Sequence, residues 1–348
     1  MLTRRTLLAA TLAVPAIATV RTAFAQPVPA QPDPAQPVPG RGTWSPCAAI
    51  PWKVQEVYGT VRDGKAMIAG GMETGDFGLR AIDRVGIYDP ATDSWQEGPR
   101  LPERRHHPVL ATVGSRIYAI GGAVDGPAGN WQQRSDVFVE EGGQWTRTTP
   151  LPVPQMESVA LVEGGRIHLI SGRSPAKEND ANWRDQKDVD THRVFDPASG
   201  KWSLARPIPG ARNSAAGAVV EGAFYIVGGR TMAEGNMARL DRYDPETDRW
   251  EALRPLPYPS GGLGAAALGG SLIAFGGEEL GVKGTAGVIP HVWRYDVARD
   301  TWEPLAAMRT PRHGLAGVSI GNRLYAIGGG SETSTGNTTA LVEALQLG

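Results

Sequence analysis

Residues Ala223–Pro257 read AFYIVGGRTMAEGNMARLDRYDPETDRWEALRPLP. Phe224-Tyr225-Ile226-Val227 is an apolar run suited to a strand buried on both faces, and Gly228-Gly229 ends it where only residues without a Cβ can turn in a crowded space. A polar loop follows. Leu240–Tyr243 alternates as a second strand, Asp244-Pro245-Glu246-Thr247-Asp248 is turn chemistry, and Trp250 opens a third strand that leaves through Leu253, Leu256 and Pro257. Strand, loop, strand, turn, strand is a meander, one small antiparallel sheet.

The same order recurs along the chain, and repeats decide an architecture before any site is considered. The Gly that closes the apolar run falls at Gly71, Gly122, Gly172, Gly229, Gly277 and Gly329, with gaps of 48 to 57 residues. Trp95, Trp145, Trp202, Trp250 and Trp302 keep the phase, as do Tyr88-Asp89, Phe195-Asp196, Tyr243-Asp244 and Tyr295-Asp296. Phased copies of this kind, about 50 residues long, resemble the kelch repeat. The resemblance covers residues 43–348 and implies an all-β fold, a six-bladed kelch β-propeller of four-stranded blades.

The last copy stops after Leu341-Val342-Glu343-Ala344-Leu345, where a third strand belongs, and no Trp follows it. Thr43-Trp44-Ser45-Pro46, with Ile50-Pro51 behind it, reads as an orphan fourth strand. The N-terminal segment is therefore expected to complete the sixth blade and close the ring, which removes exposed sheet edges.

Composition fits one large domain rather than two. The 348 residues include 45 Gly and 28 Pro, with 10 Trp against 6 Phe, as many turns and stacked blades require. A net charge of −1, with both signs interspersed, argues against a nucleic-acid partner or a polybasic membrane contact. Residues 1–25 read as a cleavable leader: Arg4-Arg5 precedes an apolar stretch to Val20, and Ala23-Phe24-Ala25 offers a small-x-small cleavage pattern. The run is too short and Ala-rich for a good permanent span. Arg4-Arg5-Thr6-Leu7-Leu8 resembles the bacterial twin-arginine signal, an ordinary secretory leader being the other reading; either implies a periplasmic or secreted protein. Residues 26–42 form a Pro-rich linker suited to polyproline II. Cys47 is the single cysteine, so no intrachain disulfide is available.

Function in such a fold is argued from the loops at the mouths of the channel. Two ring positions can be read. One is the residue after each closing Gly: Met72, Ala123, Arg173, Arg230, Glu278 and Gly330. The other lies where one blade hands over to the next, in Gln55-Glu56, Arg105-His106-His107, Met156-Glu157, Arg212-Asn213-Ser214, Gly261-Gly262 and Arg312-His313-Gly314. The kelch resemblance implies that both positions face one mouth, giving a ligand-binding rim of Arg105, His106, His107, Glu157, Arg173, Asn213, Arg230, Glu278, Arg312 and His313. Pro-Arg at a blade start is common in kelch repeats whatever they bind, so Arg212 and Arg312 also suit structural pairing with carbonyls or carboxylates. Arg173 and Arg230 suit bidentate recognition of a carboxylate. Trp183, within the charged loop Arg173–Asp190, could stack on a sugar ring or a partner's side chain.

His106-His107 invites a metal reading. Adjacent residues of an extended segment point to opposite faces, however, and no third ligand stands at metal spacing, so no metal is expected. His168, His192 and His291 read as framework residues. Galactose oxidase is a related propeller, but its copper site needs a Cys joined to a Tyr, and Cys47 lies in the closing strand. No sequence feature demands a cofactor.

The chain is also similar to the periplasmic sialic acid mutarotases at Gly276-Gly277-Glu278-Glu279-Leu280-Gly281-Val282-Lys283-Gly284-Thr285. That resemblance implies a catalytic role for Glu278 as acid and base at the anomeric centre, with the family's Arg in this loop either replaced by Lys283 or absent. The leading expectation is a binding module for a small sugar or a protein ligand, and the alternative is a sugar mutarotase or epimerase. No feature speaks to oligomeric state. Replacing Arg4-Arg5 with Lys-Lys is expected to hold the uncleaved precursor inside the cell, read by immunoblot of cell fractions; export at the wild-type level would assign the leader to the ordinary secretory route.

Overall fold

A computed structural model describes residues 40–75, 78–126, 131–177, 185–279 and 284–347. Within them, six four-stranded antiparallel sheets form the blades, each a meander from an inner to an outer strand. The inner strands are Tyr58–Arg62, Val109–Val113, Val159–Glu163, Ala216–Val220, Gly264–Leu268 and Ala316–Ile320. Each packs against the next, and the last packs against the first, so the ring is closed. The stretch Ala223–Val227 is buried throughout, as an apolar run enclosed by two neighbouring blades must be. Among the described residues, the hydrophobic core is divided into six clusters, one between each pair of adjacent blades. No helix among them is long and apolar enough to cross a membrane.

The sixth blade is shared by two distant parts of the chain. Ala316–Ile320, Arg323–Ile327 and Val342–Gln346 are completed by Thr43–Pro46, with Trp44 opposite Leu345 and Pro46 opposite Glu343. The stretch just before this strand is anchored too: Arg41 pairs in parallel with Leu305, and its carbonyl accepts from the Ala306 N–H at 2.8 Å.

Two sets of contacts tie blade to blade. At the outer strands, each phased Trp donates its indole N–H to a carbonyl in the segment leaving the preceding blade. Trp95 reaches Ala48, Trp145 reaches Pro99, Trp250 reaches Arg206 and Trp302 reaches Arg254, at 2.8 to 2.9 Å, and Trp202 reaches Thr149 at 3.3 Å. Trp44 makes the same bond to Ala306 at 2.8 Å, so the N-terminal strand brings the sixth blade its missing Trp. The Tyr of each Tyr-Asp step packs on its Trp, with centroids 5.2 Å apart for Tyr88 and Trp95 and 4.9 Å for the pairs at Tyr243 and Tyr295. Its hydroxyl donates to an Asp five residues on, at Asp93, Asp248 and Asp300. The same Asp oxygens accept the N–H groups of Ala48, Arg206 and Arg254 from the neighbouring blade's exit.

The other set lies at the glycine steps. The N–H of Gly71, Gly122, Gly172, Gly229, Gly277 and Gly329 donates to the carbonyl of Arg105, Gln155, Arg212, Ser260, Arg312 and Val54, respectively, on the segment entering the next blade. The last of these bonds closes the circle. A Cβ on Gly121 would stand 2.2 Å from the Gln155 carbonyl oxygen, and one on Gly70 would stand 2.3 Å from that of Arg105. Glycine meets so close an approach at φ near +60° without clash or strain. In the third blade Ser171 takes this place and holds a φ of 56°.

Four of the segments between second and third strands carry a short hairpin that the sequence reading treated as loop. An example is Arg173–Pro175 paired with Gln186–Asp188, inside the long third-blade insertion. Gly121→Ala is expected to cost about 1–3 kcal/mol by clash and strain. Gly114→Ala has a similar φ of 59° but nothing within 4 Å, and should cost about 1 kcal/mol. Urea denaturation of the two variants checks the difference; equal losses would remove the role given to the interblade carbonyl.

Candidate functional site

The two ring positions read from the sequence are paired with each other. Gln55 bridges Met72, His106 bridges Ala123, Met156 bridges Arg173, Asn213 bridges Arg230, Gly261 bridges Glu278 and His313 bridges Gly330, all antiparallel. Both therefore lie at one mouth, the end of the channel that carries the short hairpins and the handover segments. One residue further along, Glu56, His107, Glu157, Ser214, Gly262 and Gly314 all adopt a left-handed conformation, with φ from 50° to 67°. Backbone bonds run between these turns: His107 N–H to Glu56, Ser214 N–H to Glu157, Gly262 N–H to Ser214 and Gly314 N–H to Gly262.

The left-handed turn overturns one expectation. His106 and His107 do not sit in an extended segment with opposed side chains, because the φ of 53° at His107 brings their Nδ1 atoms to 2.6 Å. Trp131 packs on both rings, with centroids 4.6 and 5.5 Å away. His107 Nε2 lies 2.9 Å from Glu56 Oε2. Burial would lower the His107 pKa, but attraction to Glu56 and the hydrogen bond His107 donates to it raise it above its ordinary value. Burial would likewise raise Glu56, and the charge and hydrogen bond of His107, with His313 and Arg230 behind, bring it down to about 2. His106, buried beside the His107 cation, is held well below the ordinary value. The proton order that results is Glu56 carboxylate, His107 cation, neutral His106. No group of three or more potential metal ligands occurs among the described residues.

On the far side of the mouth, Arg230 Nη1 donates to Glu278 Oε1 at 2.8 Å, while the Ser334 N–H donates to Oε2 at 2.7 Å. Asn236 Nδ2 adds a bond to the Glu278 carbonyl at 2.6 Å. The Glu278 side chain is 3 % exposed, and each of its oxygens accepts a hydrogen bond. His313 joins the two halves, with Nδ1 3.6 Å from Glu56 and 3.7 Å from Glu278. Asn213 donates to Asp188 at 2.6 Å, Ser214 donates to Glu157 at 3.0 Å, and Arg173 Nε stands 3.5 Å from Asp188.

Arg105 and Arg312 are not in this rim. Both are buried and turn into the blade, away from the mouth. Arg105 donates to the Gly121 carbonyl and pairs with Glu103. Arg312 donates to Gly328 and Leu341 carbonyls at 2.6 and 2.9 Å and to Glu343 at 2.8 Å. Arg212 does the same with Asp241. Trp183 lies outside the described residues. The sequence reading passed over Glu56, Asp188 and Trp131. Glu56 had a signal: Gly262 and Gly314 stand at the aligned positions, and glycine at a repeated place marks a left-handed turn. A Cβ on Gly314 would meet the Glu56 carboxyl group at 2.8 Å, so that glycine makes the room the carboxylate fills.

Below the ring the channel narrows to voids of about 30 and 100 Å3, the larger lined mainly by small and apolar residues of the inner strands. Ligand pockets are commonly about 300–1,000 Å3.

The Kelch motif matches at residues 211–257, which contain the unit Ala223–Pro257. Kelch-like protein terF of Aspergillus terreus is 26 % identical over 313 residues, covering 88 % of this chain and 56 % of that protein. Kelch-like protein 36 of Bos taurus is 29 % identical over 48 % of this chain and 26 % of its own length. Beta-scruin of Limulus polyphemus is 27 % identical over 40 % of this chain and 15 % of its own. The chain thus spans little more than half of the first of these relatives and far less of the others. The solved structure of YjhT superposes with a TM-score of 0.68 at 18 % identity, covering 87 % of this chain and 96 % of that one, a likeness of fold.

The Glu56–His107 pair sets a pH window. The Glu56 pKa is depressed from 4.5 to about 2, so its contribution to stability is present above pH 4.5 and is lost as pH falls towards 2. The His107 pKa is raised from 6.5, so its contribution is complete below 6.5 and is lost as pH rises through the raised value. The gap in urea midpoint between wild type and Glu56→Gln should therefore be widest between those limits and shrink on both sides. A gap that stays flat with pH would show that the two groups do not titrate as a pair.

Proposed function

We propose that this kelch-repeat β-propeller is a non-catalytic binding module that takes a protein ligand across the hairpin-bearing mouth. The observation that carries the reading is the pairing of charge at the mouth's centre. Glu56, Glu157 and Glu278 are engaged by His107, Ser214 and Arg230 above voids too small for a sugar ring to settle in, while the rim above them stands out. Met232, in the fourth-blade hairpin, is 42 % exposed, an apolar side chain on the face where hairpins and handover segments gather. Such a face suits a protein surface or an extended segment that contacts several blades at once. Arg230, whose side chain is 15 % exposed beside Glu278, is the charged group best placed at its centre.

The names of two of the relatives, Kelch-like protein terF and Kelch-like protein 36, support the same reading at the level of the family. The sugar-isomerising alternative is not favoured by the double engagement of Glu278. We further propose that the module works in the periplasm or outside the cell, on the strength of the Arg4-Arg5 leader.

A photo-crosslinking residue at Met232 in the mature protein is expected to yield adducts with a defined set of exported proteins, and the same residue at Asp63, on the opposite face, is not. Adducts absent at Met232 would sink the proposal. So would anomer exchange of a free sugar that the protein accelerates and Glu278→Ala abolishes.

A further inference from the structure

A cleft with a volume of about 510 Å3 lies on the face opposite the mouth, between the turns of the third and fourth blades at Gly164 and Gly222 and the Asp244-Pro245-Glu246 turn. Its wall mixes donors and acceptors: Arg166 and Arg242 on one hand, Glu163, Glu221, Asp244 and Glu246 on the other, with His168 among them. Acidic side chains at a surface cleft would carry no inference alone. The histidine does.

His168 is 6 % exposed, and its Nδ1 lies 2.8 Å from Nε2 of His192, which is buried in turn. His192 Nδ1 lies 3.2 Å from the carbonyl oxygen of Arg206. A carbonyl oxygen can only accept, so His192 Nδ1 carries the hydrogen, and in a neutral ring Nε2 is then a lone pair. His168 Nδ1 must supply the hydrogen to it, and His168 Nε2 is left as an unprotonated acceptor. Burial keeps both rings neutral, with pKa values pulled down to about 4. His168 Nε2 makes no hydrogen bond to a described residue, nor is it one of the enclosed atoms left without a partner. His168 lines the cleft, and Nε2 is the ring nitrogen left to face it.

We propose that this cleft is a binding site for a small neutral polyhydroxylated molecule of monosaccharide size, with His168 Nε2 accepting a hydroxyl hydrogen. A hydroxyl group both donates and accepts, which the alternation of imidazole lone pair, guanidinium donors and carboxylate acceptors matches. A simple anion would meet the carboxylates, and a simple cation the arginines. The volume falls in the range of ordinary ligand pockets. The two-histidine chain fixes which nitrogen faces the ligand, so the acceptor is in place before binding. The site is separate from the mouth and does not depend on what binds there.

The test uses the mature protein labelled with nitrogen-15 at histidine, with D-glucose, D-galactose, myo-inositol and glycine as probes. Long-range proton–nitrogen correlation at pH 7 should show His168 Nε2 without a hydrogen, and a neutral polyol should shift that nitrogen and give saturation transfer. Arg166→Ala, at an exposed residue outside the core, should weaken the polyol about tenfold, the effect of losing one hydrogen bond from a charged group. Arg230→Ala at the mouth should leave it unchanged. A protonated Nε2, no shift with any of the three polyols, a shift with glycine alone, or binding lost in Arg230→Ala would each overturn the proposal.

Discussion

Everything in the molecule depends on a backbone hydrogen bond repeated around the ring. The closing glycine of each blade gives its N–H to the carbonyl of the residue entering the next blade, and at five of the six steps the first position is a glycine whose added Cβ would stand 2.2 to 2.8 Å from that carbonyl oxygen. This is why the Gly-Gly step recurs when the rest of the repeat drifts. The side chain of the entering residue then makes a second tie: Arg105, Gln155, Ser260 and Arg312 donate to the carbonyl at the first position of their own blade's glycine step. One residue therefore holds two blades, and its charge, where it has one, is neutralised inside the wall. Buried guanidinium groups persist only when paired in this way.

The same geometry builds the mouth. Once the entering segment is fixed at both neighbours, the chain must turn sharply to start the inner strand, and it does so through a left-handed residue in every blade. Side chains at that residue converge on the axis. Where they are Glu56, His107, Glu157 and Ser214 they form a polar knot; where they are Gly262 and Gly314 they leave the space the Glu56 carboxylate occupies. The asymmetry of the mouth is thus written in which blades carry glycine at one repeated place.

The fold was legible because its determinants are periodic and local: the glycine step, the Tyr-Asp turn and the Trp each recur near the same spacing, and the missing Trp of the last copy pointed to Thr43–Pro46. The rim was legible only in part. The residues after the glycine step and before the inner strand were assigned to one mouth, and the structure pairs them. Arg105, Arg212 and Arg312 share one aligned place, one residue before the bridging position, and all three reach into the wall, whereas Arg230 follows the glycine step; the sequence reading gave a structural option to Arg212 and Arg312 but kept Arg105 and Arg312 in the rim. The rings of His106 and His107 were read as diverging because an extended backbone was assumed, and the hairpins within the blade loops were missed because strands of two or three residues leave no periodicity to count. The cleft beside His168 was beyond reach from sequence, since it arises between turns of two different blades, at Gly164, Gly222 and Asp244.

The shared sixth blade has a consequence for how the ring comes into being. Five blades are meanders of consecutive residues, and their pairing closes only short loops. The bond from Thr43 to Gln346 closes a loop of nearly the whole propeller, whose entropy cost must be met in one step after the other blades have stacked. During synthesis Thr43–Pro46 emerges ahead of every other strand and has no partner until Val342–Gln346 follows. The first strand made is therefore the last to be placed, and until then the growing propeller is an open arc with a bare edge at each end.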